Sequence, residues 1–159
     1  MAVSEANAGL IRRFYDAFAQ GDGEGMAACY GPDVHFSDPV FPELRGTRAG
    51  DMWRMLTSAG GDVRVELLDH EGSAEGGSAH WRAHYTFSQT GRPVINDVHA
   101  SFRIADGLIV EHRDRFSFHR WSRQALGPSG LLLGWTPMLR SAVRRKAAGR
   151  LQAFVDERG

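Results

Sequence analysis

Four runs of alternating residues, Val63 to Leu68, Ser78 to Gln89, Val94 to Ile104 and Leu108 to Phe118, follow one another with only short turn-forming separators between them. In the second run Trp81, Ala83, Tyr85 and Phe87 alternate with His80, Arg82, His84 and Thr86, so a strand there presents one apolar and one polar face. The separators Thr90-Gly91-Arg92-Pro93 and Ala105-Asp106-Gly107 are short enough to impose antiparallel hairpins. A meander with one apolar face needs a cover. The sequence before it supplies candidates. Leu10, Ile11, Phe14 and Phe18 recur at helical spacing after Ser4 as N-cap, and Gly21-Asp22 ends that helix. Met26, Cys29 and Tyr30 mark a second, short helix that stops at Gly31-Pro32 and forms a hairpin with the first. Val34 to Asp38 reads as a short strand, Pro39 to Gly46 as a loop, and Met52, Trp53 and Leu56 as the apolar side of a third helix closed by Gly60-Gly61. The predicted class is α+β: an antiparallel sheet covered by three N-terminal helices.

A chain of 159 residues with 42% hydrophobic and 24% charged residues suits one globular domain. Residues 1–122 are expected to form it. Residues 123–159 are expected to be a C-terminal loop and an amphipathic helix, capped by Thr136 with Pro137 at its first position, that packs on the same domain. Leu139, Ala142, Val143, Leu151, Phe154 and Val155 give that helix its apolar side. The formal charge is zero, yet Arg120 to Gly159 carries a net +6 against −6 for the rest, and the simplest reading is a basic tail docked on its own acidic body. Basic and aromatic residues do not interleave across the sheet, so neither nucleic acid nor a membrane surface is an expected partner. The single Cys29 excludes an internal disulfide. Met1 to Gly9 lacks the basic and apolar regions of a secretory signal, and the expected location is cytoplasmic.

The order Arg13-Phe14-Tyr15-Asp16-Ala17-Phe18, Gly21-Asp22, Tyr30-Gly31-Pro32-Asp33-Val34 and Asp38-Pro39-Val40 resembles the opening of SnoaL-like polyketide cyclases and ketosteroid isomerases, within the nuclear transport factor 2-like superfamily. A helix led by Gly46, a hairpin at Gly91 and the run Asp106-Gly107-Leu108-Ile109-Val110 continue the likeness over about residues 8 to 118. The resemblance implies a cone-shaped half-barrel of curved sheet, closed by helices around one apolar small-molecule pocket. It also implies a homodimer and no cofactor.

Asp38 matches the segment that bears the catalytic base of ketosteroid isomerases. Flanked by Phe36, Val40 and Phe41, its carboxylate would be partly desolvated and so a better proton acceptor. The competing reading is an aspartate that caps the turn at Pro39. The isomerase's other parts are not retained: its oxyanion tyrosine falls on Phe14 and its neutral acid near Ala100. On the last strand Val110, His112, Asp114 and Phe116 share one face, which the resemblance places inward. His112 and Asp114 then read either as an acid/base pair, with Asp114 matching the aspartate expected in SnoaL-like cyclases, or as a buried structural pair. Asn96 has inward parity and can donate to an enolate or carbonyl. Phe14, Trp53, Tyr85, Phe87 and Phe116 would line the apolar wall. Neither Asp97 with His99 nor His80, His84 and Asp38 has a familiar ligand spacing, so no metal is expected. Three functions follow: a cofactor-independent isomerase or cyclase, a small-molecule binder without chemistry, or an epoxide hydrolase. The last needs an inward arginine, and Arg82, Arg103 and Arg113 all have outward parity.

Overall fold

The computed structural model describes residues 2–58, 63–128 and 136–158. Three helices, α1 (Ala2–Ala19), α2 (Gly23–Ala28) and α3 (Thr47–Ser58), lie against a sheet of β1 (Tyr30–Ser37), β2 (Leu44–Arg45), β3 (Arg64–Gly72), β4 (Gly76–Phe87), β5 (Arg92–Ala105) and β6 (Leu108–Arg115). Two more helices follow, α4 (Phe118–Leu126) and α5 (Pro137–Arg158). The strand order is β2-β1-β6-β5-β4-β3. All neighbours are antiparallel except β1 and β6, which run parallel, with α3 and four strands between them along the chain. Register shifts mark bulges on β1, β3 and, at Val110, β6, and each bends the sheet around the helices.

Local chemistry explains most boundaries. Asp106 and Gly107 adopt φ of 53° and 78°, the left-handed pair that a two-residue hairpin turn between β5 and β6 requires. Asp22 caps α2 by accepting from the Gly25 amide at 2.9 Å. Leu10, Ile11, Phe14, Tyr15 and Phe18 of α1 are all buried against the concave face of the sheet. Its close approach to the β3–β4 end depends on Gly72, where a Cβ would strike the Ser4 carbonyl. Asn7 secures that end by donating to the Ser73 carbonyl at 2.8 Å.

Several boundaries depart from the sequence reading. Tyr30 opens β1 instead of closing α2, so the first strand is longer at its start than Val34 to Asp38. The loop after Asp38 contains the two-residue strand β2. The last strand stops at Arg115, where Ser117 caps a helix that alternation alone did not reveal, accepting from the Arg120 amide at 3.1 Å. Helix α5 begins at Pro137 with Thr136 accepting from the Leu139 amide at 3.2 Å, as the cap reading required. Its apolar side is thinner than the pattern implied. Leu151 alone is fully buried, while Ala147 and Val155 pack at the edge of the core and Met138 stays 80% exposed. Gly60-Gly61 lies outside the described residues.

Candidate functional site

The concave face divides into two zones along its length. At the narrow end Phe14, Phe36, Trp53, Phe102 and Tyr30 surround His112, with ring centroids 4.3–6.2 Å from the imidazole. This end is solid: Phe14 is 0%, His112 1% and Trp53 3% exposed. At the wide end the inward residues Asp38, Val40, Tyr85, Phe87, Asn96 and Phe116 are all only half-buried. The expected lining is therefore split. Phe14 and Trp53 are core residues with almost no surface to offer a ligand. Tyr85, Asn96 and Phe116 stand where a ligand can reach, and Phe87 packs on Trp121 at 5.4 Å.

A hydrogen-bond chain runs through the solid zone. Trp53 Nε1 donates to the Tyr30 hydroxyl at 2.8 Å, and the same hydroxyl lies 2.8 Å from His112 Nδ1. His112 Nε2 lies 2.8 Å from Asp114 Oδ1. Because Tyr30 already accepts from Trp53, its own hydrogen has Nδ1 as acceptor; the imidazole proton then sits on Nε2 and is donated to Asp114. Each polar group along this hydrogen-bond chain has a partner, whereas among the described residues the Tyr15 hydroxyl and Trp81 Nε1 are buried without one. Burial, above all, holds the Tyr30 hydroxyl well above its ordinary pKa, so it remains a donor. Tyr30 was read from sequence as the end of a helix. No sequence signal connects it to His112, 82 positions away.

Strand β1 carries the other half of the site. Its parallel register sets Phe36 opposite His112 and Ser37 opposite Arg113, which brings Asp38 level with Asp114 just beyond the paired residues. Asp38 Oδ1 accepts from the amides of Val40 at 2.7 Å and Phe41 at 2.6 Å, and the Asp38 amide donates to the Phe41 carbonyl at 2.9 Å. Asp38 thus does shape the turn. Among the described residues, its second oxygen has no hydrogen-bond partner. Burial raises its pKa to about 7; the charge of Asp114 pushes the same way, while the two amides and the Arg144 guanidinium oppose. Arg144 arrives from α5, donating through Nε to the Pro39 carbonyl at 2.9 Å. Strand parity could not have found it, since it comes from outside the sheet.

Two donors complete the wide end. Trp121 Nε1 donates to the Tyr85 hydroxyl at 2.8 Å, leaving the hydroxyl's own proton without an acceptor among the described residues. Tyr85 lies close enough to Asp38 for that charge to raise its pKa further, after burial. Asn96, in the same inward row as the buried Val94, Val98 and Ala100, has an amide without a hydrogen-bond partner among the described residues. Asp114 faces Ala100 across the β5–β6 pair.

Two clefts outside the cone, of about 370 and 480 Å³, lie along α1 and the β5–β6 turn and contain none of these residues.

A concave sheet with a buried polar chain and an open acid at its wide end defines an α+β cone protein of the nuclear transport factor 2-like type. The chain belongs to the SnoaL-like family, whose domain matches residues 11–112. Solved structures agree at the level of the fold. A protein assigned as a polyketide cyclase from Xanthomonas campestris pv. campestris is 21% identical, with 77% of this chain and 98% of that one covered at a TM-score of 0.65. An LEH-like epoxide hydrolase of M. tuberculosis is 19% identical, with 82% and 98% covered at 0.66. A protein of ketosteroid isomerase-like fold from Catenulispora acidiphila DSM 44928, in complex with trimethylamine, is 15% identical, with 80% and 97% covered at 0.65. No curated protein matches the sequence. No helix among the described residues is long and apolar enough to cross a membrane.

Proposed function

We propose that the wide end of the cone binds a small, largely apolar carbonyl compound and that Asp38 moves a proton on it without a cofactor, as an isomerase or cyclase does. The observation that carries this reading is the state of Asp38: one oxygen fixed by two backbone amides, the other unpartnered among the described residues, and a pKa of about 7. A carboxylate of that basicity takes a carbon-bound proton far better than an ordinary one, yet about half of it is still ionised at neutral pH. Oδ2 is the atom that receives the proton. Tyr85 and Asn96 can donate to the enolate oxygen as charge develops there. Asp114 holds negative charge beside the base, and His112, sealed from the site, positions Asp114 through Nε2.

Exchange of α-hydrogens for deuterium in 2-tetralone, followed by NMR, tests this without knowledge of the natural substrate. The expected result is catalysed exchange that rises with pH through about 7 and is abolished in Asp38→Asn. Exchange no faster than in buffer, or unchanged in Asp38→Asn, overturns it in favour of a binder without proton-transfer chemistry.

A second reading, epoxide hydrolysis, is supported by Arg144. Paired carboxylates and an arginine are present after all, the arginine coming from α5 instead of the sheet. Water activated between Asp38 and Asp114 would open the ring. Hydrolysis of styrene oxide, lost in Arg144→Gln, would favour this reading over enolisation.

A further inference from the structure

The convex face of the sheet carries a second cluster that the cone does not use. His80 of β4 and His99 of β5 stand directly opposite each other, and their rings stack with centroids 4.3 Å apart and planes 10° apart. Asp97, two residues before His99 on the same face, places Oδ1 at 2.8 Å from His80 Nε2. One ligand atom from each of the three residues falls within 4.8 Å of the other two. The sequence hides this group, because 17 residues separate His80 from Asp97 and only the hairpin register brings them together.

We infer that His80, Asp97 and His99 form a binding site for a divalent transition-metal ion of the zinc type. Two imidazoles and a carboxylate are the donor set such borderline ions select. The geometry is close to what they need. Ligand atoms at about 2.0–2.2 Å from a tetrahedral ion lie roughly 3.3 Å from one another. The His80–Asp97 separation of 2.8 Å must therefore open slightly, with the ion replacing the proton the two now share. The ligand atoms now lie within 4.8 Å of one another, so His99 must close by up to about 1.5 Å, which an exposed side chain on a fixed strand does by χ rotation. Both His80 and Asp97 keep about a third of their side-chain surface open, so an ion and a completing water have access.

The surrounding charges permit it. Arg82 Nη2 lies 3.5 Å from Asp97 Oδ1 and competes for that oxygen, but its side chain is 38% exposed and free to swing outward. Arg115 stands opposite His99 on β6, and Asp69 stands opposite His80 on β3, so the two flanking charges offset each other. The site lies on the convex face, away from Asp38, and its occupancy is independent of the proton-transfer reading.

Titration of the tag-free full-length protein with zinc chloride by calorimetry tests the site. Wild type is expected to take up one zinc ion per chain with a dissociation constant of about 10 μM or tighter. His99→Ala and Asp97→Asn should each weaken it about tenfold or more. Both positions face outward and leave the core intact. His84→Ala, which removes an outward histidine paired with Glu66, should leave it unchanged. Absence of stoichiometric uptake, or equal uptake in His99→Ala, overturns the inference, as does a loss in His84→Ala as large as in His99→Ala.

Discussion

Tyr30 hydrogen-bonds His112 Nδ1 at 2.8 Å while accepting from Trp53, and this arrangement decides which imidazole nitrogen carries the proton given to Asp114. Tyr30→Phe removes an acceptor and a donor at once. Trp53 Nε1 and His112 Nδ1 are then buried without partners, at about 1–3 kcal/mol each. Urea denaturation should show the variant destabilised by that order. The His112 ring signals in NMR should also lose their single tautomer, an effect that a packing defect alone would not produce.

Asp114 acts on Asp38 through charge, since its carboxylate raises the neighbour's pKa. Asp114→Asn retains an oxygen that can accept from His112 Nε2 but removes the negative charge. The Asp38 pKa should therefore fall from about 7 toward the ordinary carboxylate range. Carboxyl-carbon NMR titration reads this directly. An unchanged midpoint would show that Asp114 is a structural partner of His112 and nothing more.

The pH dependence of stability has a defined sign. A carboxyl whose folded pKa lies at about 7, against 3.8 unfolded, binds its proton more tightly in the folded state. Its favourable contribution is complete below the unfolded value, is lost as pH rises through the folded one, and is absent above it. The swing is on the order of 4 kcal/mol. Asp38→Asn keeps an acceptor for the Val40 and Phe41 amides but cannot ionise. Urea unfolding of both proteins at pH 4 and pH 8.5 should therefore show the variant gaining on wild type as pH rises. Taking the difference cancels the titration of groups common to both. A constant difference would mean Asp38 titrates normally.

What was legible in the sequence follows from which forces are local. The alternation in β4 and the Asp106-Gly107 turn fixed a sheet face and a hairpin because period and φ preference are properties of adjacent residues. The inward pairing of His112 with Asp114 was legible for the same reason: they are two apart on one strand. Helix α4 was not, because Phe118 and Trp121 continue an aromatic pattern that a strand satisfies equally well until the Ser117 cap is seen. The contacts of Tyr30 with His112, of Trp121 with Tyr85 and of Arg144 with Pro39 join residues 36 to 105 positions apart, and nothing in their own neighbourhoods marks them. Parity and helical phase distinguish inward from outward but not depth along the cone, so they do not separate the buried Phe14 and Trp53 from the half-buried residues of the wide end.

On the proposed proton-transfer reading Tyr85 is the enolate donor, because Trp121 occupies its acceptor side and leaves its hydrogen free. Tyr85→Phe should lower the rate of tetralone exchange about tenfold to a hundredfold, consistent with loss of one preorganised donor. Binding of the ketone should change little. The lost acceptor for Trp121 Nε1 costs about 1–3 kcal/mol, so the variant must be assayed well below its melting temperature. An undiminished exchange rate would move the donor role to Asn96.

Helix α5 meets the domain through two unlike contacts, and they predict different things. Leu151 is fully buried in the main core, whereas Arg144 is half-exposed and reaches the Pro39 carbonyl beside Asp38. Leu151→Ala leaves a cavity under the helix and should cost about 2–5 kcal/mol. Arg144→Gln should cost about 1 kcal/mol or less, as exposed polar contacts do, yet it removes a positive charge that lowers the Asp38 pKa. The pH midpoint of exchange should therefore move upward in Arg144→Gln. In Leu151→Ala it should move only as far as the helix detaches. If Arg144→Gln were instead the more destabilising of the two, docking of the basic tail would be electrostatic in origin. The fraction of Asp38 ionised at neutral pH would then depend on salt concentration, which screens such a contact.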